Sequence, residues 1–177
     1  MLYTILAIMI VISIILLVIT IFYNKFNFAI IKIEEAENNI DILFEKKIQL
    51  LERTRPIVKK ELKLKEFLED IEFLSETTIN HFEMNNSLKA LHNELNKTLD
   101  EHEKLYKSES LTSIIEEINS NEEAILGSTK FYNDNVVIFN QLVGSFPSSF
   151  VALLWGYKKK DFYNNEKKEM YEILNEK

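Results

Sequence analysis

Cysteine is absent from the chain, which removes disulfide frames, lipoprotein attachment and cysteine nucleophiles in one step. Glycine is nearly absent: Gly127, Gly144 and Gly156 stand alone among 177 residues, so there is no glycine-rich loop to cradle a phosphate. Histidine is as scarce. A di-iron site in a helical bundle requires Glu three residues ahead of His, but Thr78, Lys89 and Leu99 precede His81, His92 and His102 at that spacing. No histidine opens an H-E-x-x-H run either, so the three imidazoles are expected to be solvated or partly buried, with no metal and no cofactor bound. Ser148 and Ser149 have no histidine near them in sequence. Basic residues are outnumbered, with a net charge of −7, and an acidic domain lacks the basic stripe that nucleic acid requires. Carboxylates such as Glu34, Glu35, Glu37, Glu116 and Glu117 fall on amphipathic helices as a solvated face. No catalytic residue emerges, and the chain is expected not to be an enzyme.

What is abundant is apolar sequence without charge. Residues 2–22, LYTILAIMIVISIILLVITIF, contain no charged residue, no Gly and no Pro. As a helix they are about 31 Å long, the thickness of a hydrocarbon core. Tyr3 and Tyr23 stand at the ends of the run, where amphipathic rings settle at the headgroup level, and Lys25 follows. A cleaved signal peptide would have a basic leading region, a shorter apolar core and a small-residue cleavage site. The pattern therefore predicts a retained anchor over 1–23, a helical bundle over 24–163 and a charged tail over 164–177. Lys25 and Lys32 after the span favour a cytoplasmic domain by the positive-inside rule.

Two prolines and three glycines leave the rest of the chain free to be helix. Residues Leu111, Ile115, Ile118, Glu122, Ile125, Thr129, Tyr132, Val136, Phe139, Val143 and Phe146 alternate steps of four and three, the period of a seam in left-handed helix packing. Ser108 or Ser110 is expected to cap this helix, with Ser113 and Glu116 as a further capping pair, and Pro147 to end it. An earlier stripe, Phe26, Ile33, Ile40, Phe44, Leu51, Val58 and Leu62, leads straight out of the span, with a kink expected at Pro56. Leu64, Phe67, Ile71, Leu74 and Phe82 lie on the opposite side, yet VKKELKLKEF carries no turn residue, which predicts one continuous helix. The break is expected at Asn85, Asn86 and Ser87, before a helix through Leu88, Leu91, Leu95, Leu99 and Tyr106. Asn85 with Ser87 and Asn96 with Thr98 also fit the glycosylation pattern.

Asn133 and Asn140 each follow a seam aromatic. Asparagine forms helix poorly, so two at heptad spacing suggest amides facing a neighbouring helix and fixing its register, or else contacting a ligand. In this region the sequence resembles the C-terminal signature of the LemA family. Tyr132, Asn133 and Asp134 are followed by Phe139 and Asn140, then Phe146 and Pro147, then Trp155, Gly156 and Tyr157. Near the start, Tyr23 with Asn24, Ala36, Ile40 with Asp41, and Lys46 with Lys47 are similar to the family's opening. The family's proline would stand at Glu52; Pro56 comes one turn later and shifts the kink. No family motif is recognisable over 64–106. The resemblance implies a bacterial membrane-anchored protein with an antiparallel four-helix bundle and supplies no active site.

The segment after Pro147 joins Phe150, Val151, Leu153, Leu154 and Trp155 to Lys158, Lys159 and Lys160. It is expected to cap the bundle; exposed, it would suit a membrane interface. The function expected is a non-enzymatic scaffold or adaptor, held in the lipid bilayer by residues 2–22 and presenting the bundle to a protein partner. The alternative is a lipid- or envelope-binding module that uses the segment after Pro147.

Overall fold

The structure is a computed structural model that describes residues 1–76 and 81–163. The tail over 164–177 lies outside the described residues, as does the side chain of Phe82. The fold is all-α, with no strand among the described residues. Among the described residues five helices follow in order: α1 (Leu2–Leu62), α2 (Asp70–Glu76), α3 (His81–Glu101), α4 (Glu109–Gly144) and α5 (Ser148–Trp155), with a 3-10 turn over Glu103–Lys107. The chain divides into two compact units, one of Met1–Ala36 with Phe131–Lys177 and one of Glu37–Lys130.

α1 is long and apolar enough in its first part to cross a membrane, and that part is unburied. Beyond it, α1 buries Phe26, Ala29, Ile33, Ala36, Ile40, Phe44, Lys47, Leu51, Thr54 and Val58. The steps are threes and fours, so α1 turns a stripe to the core of each unit, Phe26 to Ala36 in the first and Ile40 to Val58 in the second. Pro56 stands inside the helix without ending it.

In the unit 37–130, α1 and α4 run antiparallel. Asn39 Nδ2 donates to Ser128 Oγ (2.7 Å), Asn121 Nδ2 donates to the Leu43 carbonyl (2.9 Å), Lys47 Nζ pairs with Glu122, and Arg53 meets Glu117 at 3.5 Å. Positions rise along one helix as they fall along the other. The buried set on α4 here is Leu111, Ile114, Ile118, Asn121, Ile125 and Ser128. The expected seam thus holds at Leu111, Ile118 and Ile125 and shifts by one residue between them. Ile114, Asn121 and Ser128 replace Ile115, Glu122 and Thr129; opposite the two polar ones α1 offers the Leu43 carbonyl to Asn121 and the Asn39 amide to Ser128. Ser108 Oγ accepts from the Leu111 N–H at 3.4 Å and caps α4 as expected.

The expected continuous helix beyond Leu62 is corrected. α1 stops there, and Lys63 (φ 55°) and Leu68 (φ 51°) take left-handed backbone in a turn with no Gly, Asn or Pro. Such a turn persists only where its surroundings over-determine it. Here Leu68 is fully buried and its N–H donates to Glu94 Oε1 at 3.3 Å. Arg55 donates to the Phe67 carbonyl (3.2 Å) and to Glu72 (2.8 Å), and Lys59 pairs with Glu69 at 2.7 Å. The break expected at Asn85–Ser87 is likewise absent: α3 runs through it, with Asn85 and Leu88 buried. Leu88, Leu91, Leu95 and Leu99 form its buried stripe, each fully buried leucine contributing on the order of 2 kcal/mol. Leu64 and Tyr106 are exposed, and Leu105 fills the core in place of Tyr106.

Lys47 is 1 % exposed, and its ammonium is held by Glu122. Half-buried His92 feels this pair: burial and then the Lys47 charge push its imidazole below the ordinary value, while Glu122 opposes them. An ammonium out of water is costly without its partner. Glu122→Ala is therefore expected to lower stability by about 3 kcal/mol. Lys47→Met combined with Glu122→Leu should recover most of that loss, as read by denaturant unfolding of the full chain in detergent. The depressed His92 pKa means that the unfolded chain binds a proton before the folded one does. Stability is full above the ordinary histidine value of about 6.5 and declines as pH falls through it. The thermal midpoint should drop on acidification through that window, and His92→Gln should flatten the drop.

Candidate functional site

The residues singled out by the sequence converge in the unit of Met1–Ala36 with Phe131–Lys177. Phe26 on α1, Phe139 on α4 and Tyr157 after α5 form a three-ring cluster. Their centroids are 5.6 Å apart for Phe26 and Phe139 at 78°, 4.8 Å for Phe26 and Tyr157, and 5.9 Å for Phe139 and Tyr157. Each such pair adds about 1 kcal/mol beyond the area it buries. Ala29, Ile33, Val136, Val151 and Ala152 complete the buried cluster, with Ile19, Phe22, Tyr132 and Phe162 packed at its edge. Beside it Tyr23 meets Trp155 at 5.2 Å. Burial, with Tyr23 beside it, raises the Tyr157 phenol above its usual range, so it stays neutral.

Local chemistry explains how α5 and the segment after it reach this cluster. α4 ends at Gly144, Pro147 precedes α5, and α5 turns by 94° from α4. At the other end of α5, Gly156 takes φ 71°, and the Tyr157 N–H donates to the Ala152 carbonyl (2.9 Å), closing the helix with a left-handed cap. That cap reverses the chain and drops the Tyr157 ring onto Phe26 and Phe139.

The two asparagines then fasten the segment beyond Tyr157. Asn140 Oδ1 accepts from the Lys160 N–H (2.8 Å) while its Nδ2 donates to the Lys160 carbonyl (2.9 Å). Asn133 Oδ1 accepts from the Tyr163 N–H (2.8 Å), and the Tyr132 hydroxyl donates to the Asp161 carbonyl (3.3 Å). The amides thus face an extended backbone, not the neighbouring helix expected from their spacing, and their seven-residue interval matches two points along that backbone. An amide presents a donor and an acceptor together, the pattern of a peptide group, which is why Asn serves here. Tyr163 stacks edge-on against Tyr132 at 5.9 Å.

The cap expected after Pro147 is only half of what forms. Ser148, Val151 and Ala152 are buried, but Phe150, Leu153, Leu154 and Trp155 are exposed, and Phe146 is 90 % exposed. Asn24 and Asp134 also lie on the exposed side. Sequence reasoning missed the partners of the amides, Lys160 and Tyr163, because backbone groups carry no side-chain signature. It also missed Asn121 and Ser128, although Ile114, Asn121, Ser128 and Asn135 repeat every seven residues.

A concavity of about 450 Å³ lies between α2 and α3 against Phe73, Leu74 and Leu91, with the carboxylates of Asp70, Glu83 and Glu94 around it. Glu94 is already engaged in holding the Leu68 N–H. Among the described residues, no group of three or more metal-ligating side chains is placed to hold an ion.

An all-α fold led by an unburied apolar helix fits a membrane-associated protein of helical bundles. The chain belongs to the LemA family, whose model matches residues 36–173. The match runs through 64–106, where no motif is recognisable in the single sequence, and begins after Tyr23 and Asn24. No curated protein and no solved structure matches the chain.

Removing the Asn140 amide costs two neutral hydrogen bonds, about 1 kcal/mol each. Asn140→Ala is expected to loosen the docked segment and to speed tryptic cleavage after Lys158, Lys159 and Lys160 by about tenfold or more. An unchanged cleavage rate would show that the amide does not hold the segment.

Proposed function

We propose that this chain is a single-pass protein of a bacterial cell membrane that holds a rigid helical scaffold at the membrane surface for a protein partner. The observation that carries this reading is the continuity of α1. One helix of 61 residues contains the apolar run and then supplies core residues without an intervening loop. A helical junction fixes the height and rotation of what it carries, whereas a flexible linker would fix neither. Lys25 and Lys32 after the run support a cytoplasmic placement. The acidic balance of the chain suits a protein partner better than nucleic acid. Exposure of apolar side chains on α5 supports lipid contact as a second property of the same molecule.

Two measurements test the reading on the full chain in its native membrane. Protease added outside spheroplasts should leave the domain intact and should cleave it once the membrane is opened; trimming from outside would overturn the cytoplasmic placement. Photo-crosslinkers at the exposed positions Ile42, Phe73 and Leu126 should give a discrete adduct of defined mass at one or more of them. Background labelling at all three would argue against a scaffold that works through this part of the chain.

A further inference from the structure

The apolar run and the packed part of α1 overlap. Residues 1–17 are exposed and burial starts at Val18 and Ile19, yet the uncharged run continues to Phe22. Residues 2–17 alone make a helix of only about 24 Å, short of a hydrocarbon core of about 30 Å. The last turn of the span therefore has to be found among residues 18–22. There Ile19 and Phe22 pack against the cluster to which α5 contributes Val151 and Ala152. α5 consequently stands at the depth where the acyl chains give way to headgroups.

Its direction and its two faces fit that depth. α5 turns 94° from α4, so with α4 standing along the membrane normal α5 lies parallel to the membrane plane. At 100° per residue, Ser148, Val151 and Ala152 share the buried side, while Phe150, Leu153 and Leu154 share the other. That outer side is apolar throughout, with Leu153 77 % exposed. An outward apolar face next to water would be costly; next to the apolar run of α1 it continues one surface. Trp155 against Tyr23 places two amphipathic rings together, the pairing favoured at the headgroup level, and three lysines follow at 158–160.

We propose that α5 is an interfacial helix: it lies in the plane of the anionic bilayer surface beside the exit of α1, with Phe150, Leu153 and Leu154 among the acyl chains. This rests on the reading of residues 2–22 as a membrane span. The helix and the span together hold their own unit to the bilayer at two points, which fixes that unit's tilt as well as its distance.

Trp155 is the only tryptophan, so its emission reports α5 directly. The full chain is reconstituted in vesicles of phosphatidylcholine and phosphatidylglycerol, with and without bromine on the upper acyl chain, and exposed to aqueous iodide. Two variants in a Trp155→Phe chain accompany it: Leu153→Trp on the outer side of α5, and Ile12→Trp within the span. The proposal expects about a twofold or greater loss of emission in brominated vesicles for Trp155 and for Leu153→Trp, with little quenching by iodide. Iodide quenching of Leu153→Trp while Ile12→Trp is quenched by lipid would overturn the interfacial helix and leave the span standing. Absence of lipid quenching at both substituted positions would remove the span as well. Leu153→Trp shielded from both quenchers would overturn the proposal in favour of a protein covering this face.

Discussion

Everything in this molecule depends on α1 remaining one helix from Leu2 to Leu62. Its apolar run, its pairing with α4 and the platform under Tyr157 are successive stretches of the same cylinder. Within each unit, a rise of about 1.5 Å and a turn of about 100° per residue set which of its residues face the core. An interruption between the apolar run and Ile33 would separate the rotational setting of that run from that of Phe26, Ala29 and Ile33. The interior Pro56 is tolerated because the stripe on both sides of it, Leu51, Thr54 and Val58, remains buried.

The packing between α1 and α4 is unusual for the polar groups it takes out of water. Lys47, Thr54, Asn121 and Ser128 lie among leucines and isoleucines. Each has a partner in reach: Glu122 for Lys47, the Leu51 carbonyl for Thr54 at 2.7 Å, the Leu43 carbonyl for Asn121, and Asn39 for Ser128. The Thr54 bond stays within α1, but the other three cross to α4. Such pairs contribute little net free energy when made and cost a great deal when broken, so those three penalise other registers of the two helices. Asn133 and Asn140 apply the same chemistry to an extended backbone. The segment 157–163 is thereby set against α4 by amides and against α1 by the Tyr157 ring.

Much of this was legible in the sequence. The stripe from Phe26 to Val58, the leucines of α3, the Ser108 cap and the end of α4 before Pro147 follow from helical periodicity and from proline's lost donor. Family membership was legible in Tyr132, Asn133, Asp134 and the residues around Gly156. Misreadings cluster where a partner distant in sequence decides. The turn after Leu62 has no turn residue, and what makes it is Glu94, Arg55 and Lys59. The Asn85 region reads as a break but stays helical because its neighbours bury it. On α4, the choice of Asn121 over Glu122 for the core depends on what α1 presents opposite.

The sequence by itself determined an all-α chain with a charge-free leading run, because periodicity and composition are local properties that one strand of text contains in full. It also determined which residues had amides and rings to offer. Only the tertiary structure decided what those groups would hold. Hydrogen bonds to the backbone at Lys160 and Tyr163, a left-handed Leu68, and the outward face of Phe150, Leu153 and Leu154 all depend on the distances between segments far apart in the chain. Those distances exist only once the helices have packed.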